Sequence, residues 1–224
     1  MTALTPARLK IDVVSDVVCP WCAIGWASLQ TALQRVPEAA QAELHFQPFE
    51  LNPQMGPEGE DIVEHLSRKY GISAEQIAQN RQAIAARGAA LGFQFGPRGR
   101  TWNTFDAHRL LHWAGTLPGD AQRRLKTALL QAYHGEAKNI SDPAVLLQLA
   151  AEAGLDTTRA QQILTTSEFA DAVREREQFY QAQGITGVPA VILNDRYLIS
   201  GGQPPEVFEQ ALRRVVEEVG AGGG

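Results

Sequence analysis

The chain of 224 residues is poor in cysteine and in positive charge, and it has no long apolar runs. Two cysteines cannot build the dense disulfide framework of a small secreted domain. Nothing approaches the ~18 consecutive apolar residues of a membrane span, so no membrane partner is expected. The opening MTALTPARLK has no apolar stretch leading to a small-residue cleavage site, and no secretory leader is expected there. Lys and Arg number 20 against 25 Asp and Glu, a net charge of −5. That balance argues against nucleic acid as a partner, because phosphate binding wants a basic face. With 12 prolines and 20 glycines, the chain is also far from a low-complexity composition. What remains is a chain long enough to bury a core, either one ordinary domain or a small domain carrying an insertion.

Its organisation follows from the spacing of apolar residues. Residues 9–15 are rich in β-branched side chains and read as a strand. Pro20 suits the first position of a helix, where its missing N–H costs nothing. Apolar residues then recur with roughly helical period from Trp21 to Leu33, and Pro37 ends the pattern. Residues 42–49 alternate and read as a second strand, completing the start of a parallel βαβ unit. From about Glu60 to Gln183 the pattern is helical almost throughout. Ser73 with Gln76 forms a capping box, and Gly92 is a stop signal. Asp120 is placed to cap a helix bearing Leu125 and Leu129. Ser141-Asp142-Pro143 starts another helix, which Gly154 ends, and Ser167 opens a long charged helix closed by Gly184. Residues 92–101 (GFQFGPRGRT) read as a glycine-rich loop.

Strand chemistry returns at residues 188–193. Asn194-Asp195 turn the chain into residues 197–200, which gives a β-hairpin. Pro204-Pro205 precede a last amphipathic helix, and residues 220–224 read as a disordered tail. The order is β-α-β, then helices, then β-β-α. An α/β thioredoxin-type core accounts for the two ends, with an inserted all-helical domain between them. The expected division is residues 1–56 and 166–219 for the thioredoxin-like domain and 57–165 for the insertion.

Both cysteines fall in one four-residue stretch, Cys19-Pro20-Trp21-Cys22. At a helix start, positions i and i+3 are one turn apart, close enough for a disulfide. Cys19 would meet free N–H groups and the positive end of the helix dipole, which favour a thiolate. Lowering a thiol pKa from ~8.5 to ~7 takes ~2 kcal/mol, and a helix end supplies at most about that, so directed N–H bonds must help. Cys22, deeper in the helix, suits the resolving thiol. A zinc site usually needs a second Cys or His pair, which His45, His65, His108, His112 and His134 do not offer near Cys19. Covalent haem attachment needs His where the chain has Ala23. Two inert core cysteines are the remaining bland reading. A redox pair fits best.

At this point the chain resembles a known family. Residues 15–22 (SDVVCPWC) with Ile24-Gly25 resemble the DsbA-like thioredoxin superfamily, and most closely its FrnE-like cytoplasmic branch. Residues 48–53 (PFELNP), 103–110 (NTFDAHRL), 187–190 (GVPA) and 201–204 (GGQP) are similar to that branch too. The resemblance implies a helical domain inserted in a thioredoxin fold and a cytoplasmic thiol–disulfide oxidoreductase. It implies Cys19, Cys22 and Pro189 as catalytic residues, with a cis Val188–Pro189 bond beside the sulfurs. Pro20, Trp21, Val188, Asn103 and His108 would contact substrate, and residues 103–109 would wall the cleft. No bound cofactor or metal is implied. The expected partners are protein or small-molecule thiols and disulfides, with glutathione as a candidate redox co-substrate, and the expected state is a monomer or homodimer.

Two departures from the family stand out. Relatives carry an acid six positions before the first cysteine, where this chain has Val13. Asp12, one step away, should face the other side of the sheet. The proton of Cys22 must then go to water, to Asp16 or to a group in the helical insertion, and His108 is a candidate for that role. Trp21 stands where strongly oxidising members have His, so a milder thiol and a less oxidising disulfide are expected. Two other classes stay open. Glutathione-dependent isomerases, such as 2-hydroxychromene-2-carboxylate isomerase, and kappa-type glutathione transferases share the inserted helices but generally have Ser near the position of Cys19. A non-enzymatic, chaperone-like peptide-binding module is the other alternative.

Overall fold

The computed structural model describes residues 9–39 and 42–221. Residues 1–8, most of the segment read for a leader, and the last three residues of the glycine tail lie outside the described residues. The first strand, β1 (Lys10–Ser15), pairs in parallel with β2 (Glu43–Pro48), and the helix α1 (Pro20–Arg35) makes the crossover. Its other edge pairs antiparallel with β5 (Ala190–Leu193), which continues into β6 (Tyr197–Ser200). The sheet order is therefore β2-β1-β5-β6. Alternation along β1 divides the core in two. Ile11 and Val13 pack with Ala23, Trp26 and Leu29 of α1 and with Phe208 and Leu212 of α9 (Pro205–Ala221). Val14 packs on the opposite face with Tyr180 of α8 (Ala170–Ala182).

Between β2 and α8 the chain is helical: α2 (Ile62–Tyr70), α3 (Ala74–Ala90), α4 (Phe105–Gly115), α5 (Ala121–Leu130), α6 (Pro143–Glu152) and α7 (Thr157–Leu164). Leu110, Leu125, Leu129, Leu146 and Ile163 build the interior of this part, and Val17 and Val18 from the β1–α1 loop are buried with them. The loop that delivers Cys19 is thus anchored in the helical core and not only in the sheet. A π-helical turn, Gln131–Gly135, extends α5 toward the same loop. The loop before α4 lies close against it: Gly96 N–H donates to His134 O at 2.8 Å, and a Cβ on Gly96 would fall 2.1 Å from Gly135 O.

Local signals mostly survive folding. Ser73 and Gln76 form both halves of the capping box, and Asp142 accepts from Ala144 N–H. Asp120 stands at the N-cap of α5 but does not cap it, because its carboxylate is drawn to Arg123 and Arg124 instead. The long charged helix begins at Ala170, not near Ser167. Phe169, with φ +63°, turns into the helical core first and takes the N-cap position. Residues 92–101 are not all loop: β4 (Arg100–Thr101) pairs with β3 (Glu60–Asp61), a two-residue ladder too short to show in a pattern. Gly220 and Ala221 belong to α9 and not to a disordered tail.

The hairpin turn is built as its residues suggest. Asn194 and Asp195 have φ of +49° and +55°, the primed-turn region that Asn and Asp tolerate best among non-glycine residues. Asn194 also joins the hairpin to β1, because its Oδ1 accepts from Lys10 N–H at 2.8 Å. Asn194→Ala should cost about 2 kcal/mol, roughly half from the left-handed backbone and half from the lost hydrogen bond. Asn194→Gly should recover the backbone part. Chemical denaturation of the two variants checks this, and equal losses would show that the turn contributes nothing.

Candidate active site

Cys19 is the N-cap residue of α1, with extended φ and ψ of −80° and 116°, and Pro20 holds the first helical position. Its carbonyl accepts from Cys22 N–H at 3.1 Å and from Ala23 N–H at 3.4 Å, which sets both sulfurs on the first turn. Both cysteines are free thiols and buried. The thiol of Cys22 is the largest influence lowering the Cys19 pKa from its ordinary value. The backbone N–H groups of Cys22 and Trp21 assist, against burial and the charge of Asp16. Cys22 moves the opposite way, driven well up by burial first and then by Cys19 itself. A buried site holds one negative charge far more easily than two, and the arrangement places it on Cys19. Among the directed contacts the neighbouring thiol comes first and the backbone N–H groups second.

Val188 and Pro189 approach from the loop before β5. Their peptide bond is cis, and the Cys19 thiol donates to Val188 O at 3.7 Å. Gly25 lets Pro189 close on α1, since a Cβ there would lie 3.0 Å from the proline ring. Trp21 remains 39% exposed at the rim, with the Arg87 guanidinium 5.3 Å from its ring centre. Cys19, Pro20, Trp21 and Val188 together form one side of a cleft of about 520 Å³. The other side comes from α2, α3, Thr101 and Tyr133. A larger depression of about 820 Å³ lies beside α1 and β2, with neither cysteine in its lining.

Asn103 and His108 do not line this cleft. Asn103 donates to Met55 O and accepts from Phe105 N–H, holding the entry to α4. His108 is 2% exposed, and its Nε2–H donates to Asp16 Oδ1 at 3.2 Å. Asp16 also accepts from Val17 N–H and Leu51 N–H, each at 2.7 Å. Burial alone would raise its pKa, yet hydrogen bonding and the charge of His108 hold it below the ordinary range. A carboxylate so well satisfied is a poor proton acceptor, and His108 is committed to it. Arg109 ends the wall reading for residues 103–109: its guanidinium bonds Asp106 and the carbonyls of Ile163, Thr166 and Glu168. His112 turns aside to the ring of Phe169, 5.3 Å away, so the two histidines do not converge. Asp12 lies on the far face of the sheet, where Gln47 donates to it at 2.6 Å.

Sequence reasoning missed three cations here. Lys126 of α5 is 1% exposed, and its Nζ has no hydrogen-bond partner. Burial pushes its pKa down, and the charges that act on it are those of Cys22, Asp16 and Cys19. Its position follows from α5. Gln122 clamps Phe46 at both N–H (2.8 Å) and C=O (2.9 Å), Thr127 accepts from Trp26 Nε1–H (3.0 Å), and Lys126 passes 5.8 Å from the Phe46 ring centre. Phe46 is the β2 neighbour of Val13. Lys126 thus enters from α5 beside the β2 neighbour of Val13. Arg81 and Arg98 are the other two, both in the cleft lining. His134, 0% exposed, donates from Nε2 to Val17 O at 2.9 Å and steadies the cysteine loop.

Comparison with known proteins decides the family. The model of the DSBA-like thioredoxin domain matches residues 10–213. The chain belongs to the DsbA-like thioredoxin family. YwbO of Bacillus subtilis (strain 168) is 30% identical to it over 208 residues, covering 91% of this chain and 96% of YwbO. A probable DsbA oxidoreductase from Streptomyces coelicolor superposes with a TM-score of 0.85 at 34% identity, over 92% of this chain and 89% of that one. The cytosolic disulfide reductase DsbM from Pseudomonas aeruginosa, solved with GSH, shares the fold: TM-score 0.65 at 16% identity, over 93% and 99% of the two chains. Among the described residues no helix is long and apolar enough to cross a membrane, and no cluster of His, Cys, Asp and Glu could hold a metal.

Within this DsbA-like site, the hydrogen bond from Cys22 is the main support of the Cys19 thiolate. Cys22→Ala should therefore raise the pH midpoint of Cys19 alkylation toward the free-thiol value of ~8.5. Iodoacetamide rates from pH 5 to 10 check this, and a midpoint left in place would assign the shift to the backbone alone.

Proposed function

We propose that this protein is a cytoplasmic, FrnE-like thiol–disulfide oxidoreductase that works through the Cys19–Cys22 pair, with residues 57–165 as an inserted helical domain. The observation that carries the reading is the opposed displacement of two adjacent buried thiols, Cys19 toward thiolate and Cys22 toward thiol. A nucleophile and a resolving group need that division. The Cys19 thiolate attacks one sulfur of a substrate disulfide. A mixed disulfide forms, and the first substrate sulfur leaves as a thiolate. Cys22 then gives its proton to Lys126, in the unprotonated form that burial favours, and attacks Cys19 Sγ. The Cys19–Cys22 bond forms, the bond from Cys19 to substrate breaks, and the second substrate thiolate departs. The two electrons gained by the substrate are those lost by the dithiol. Val188 O, beside Cys19, is placed to receive an N–H of an extended substrate.

Retention of both cysteines favours this chemistry over the glutathione-dependent isomerases. In a reducing compartment the resting pair is the dithiol, which suits disulfide reduction or isomerisation. No bound cofactor is needed, and glutathione, present with DsbM, is a fitting agent to restore the dithiol.

Turnover of a disulfide substrate, coupled to glutathione and glutathione reductase, tests the reading. Cys19→Ser should abolish it, and Cys22→Ser should accumulate a mixed disulfide visible by mass spectrometry. Full turnover in Cys19→Ser would overturn the proposal. Lys126→Met should slow release of the trapped substrate by about 10²-fold, the usual contribution of a positioned proton acceptor, and move its pH dependence upward. An unchanged release rate and pH profile would remove Lys126 from the mechanism.

A further inference from the structure

The cleft in front of Cys19 has a charge opposite to that of the chain. The net charge is −5, yet Lys69, Arg81 and Arg98 line the cleft and no Asp or Glu does. Among the described residues none of the three makes an ion pair with a carboxylate, although the charge of Asp16 reaches Lys69. Lys69 Nζ donates to neutral oxygens, Leu51 O at 2.6 Å and Asn52 Oδ1 at 2.7 Å. The Arg98 guanidinium lies 5.1 Å from the ring centre of Tyr133. Burial lowers its pKa, the Tyr133 hydroxyl opposes this, and the charge of Arg81 lowers it again. Arg81 Nη2 is buried with no hydrogen-bond partner. Asp61 lies within the field of Arg81, but its Oδ1 is engaged by Val63 N–H and Glu64 N–H at the start of α2.

Two guanidinium groups acting on each other at a partly buried site repel, and an anion between them relieves the repulsion. A planar guanidinium fits a carboxylate with two parallel N–H bonds, which a lysine cannot do. Ile62, Leu66, Ile77 and Ile84 make the adjoining wall apolar. A volume of about 520 Å³ suits a small molecule. Arg98 also lies within the field of Cys19, so a thiolate and a carboxylate would share one positive environment.

We propose that the cleft selects small anionic thiols and disulfides, holding a carboxylate at Arg81 and Arg98 with the sulfur against Cys19. This inference rests on the oxidoreductase reading above and adds the substrate class to it. The sulfur chemistry is unchanged: the Cys19 thiolate bonds to the substrate sulfur and the other sulfur leaves with the electron pair.

Two chromogenic disulfides separate charge from reactivity: the dianion 5,5′-dithiobis(2-nitrobenzoate) and the neutral 4,4′-dithiodipyridine. With protein reduced beforehand and freed of reductant, the ratio of their single-turnover rate constants should fall about tenfold in Arg81→Gln, the scale of one charge-assisted hydrogen bond. In the wild type that ratio should decline as salt is raised. A ratio that neither the substitution nor salt moves would overturn the proposal. Binding of 5-(methylthio)-2-nitrobenzoate, which has no reactive sulfur, gives an arm independent of redox chemistry. By calorimetry it should bind wild type more tightly than its methyl ester does, and Arg81→Gln should lose that preference. Equal binding of acid and ester overturns the anion site whatever the enzyme does. Failure of wild type to reduce either disulfide, with acid-selective binding intact, would instead sink the oxidoreductase reading.

Discussion

The site depends on one constraint: two thiols lie within a single turn of helix, in surroundings that tolerate only one negative charge. Water does not solvate either sulfur well, as both residues are almost fully buried. The charge therefore goes where donors converge, at Cys19, and the proton stays where they are fewer, at Cys22. Neither group has this character alone. Each is the largest or second-largest influence on the other, so the pair titrates as one unit.

The rest of the molecule keeps that unit in place. Val17 and Val18 fix the loop before Cys19 in the helical core, and His134 binds Val17 O from the π-helical turn. The charge of Asp16 opposes the thiolate. Its carboxylate is engaged by Val17 N–H, Leu51 N–H and His108, and it locks the loop to the segment after β2 and to α4. A buried pair of this kind is worth little over an apolar replacement, but losing one partner would leave a buried charge at a cost of about 3 kcal/mol or more. The helical part between β2 and α8 thus fixes the geometry of the cysteine loop and also supplies the far wall of the cleft and Lys126.

Much of this was legible in the sequence because it is local. The β-branched run of β1, Pro20 opening α1, the Ser73–Gln76 box and the Asn194–Asp195 turn act through neighbours in the chain, and they fold as read. What escaped depends on distant partners. Lys126 and Arg81 lie on helices where a basic residue ordinarily faces water, and nothing in the pattern says that another part of the chain covers them. His108 and His112 do share a helix, but spacing cannot say which face meets Asp16 and which meets Phe169. Asp120 reads as a cap by its position, but arginines three and four residues on compete with the backbone for its carboxylate.

The pH dependence of the reduction potential of the Cys19–Cys22 couple tests the central claim most directly. While both thiols carry protons, the potential falls with pH along a two-proton slope. Once Cys19 ionises, the slope becomes that of one proton. A shared-proton pair with Cys19 stabilised predicts the break below the free-thiol value of ~8.5, and the steeper slope not returning above it. A two-proton slope running unbroken through pH 8.5 would contradict the account.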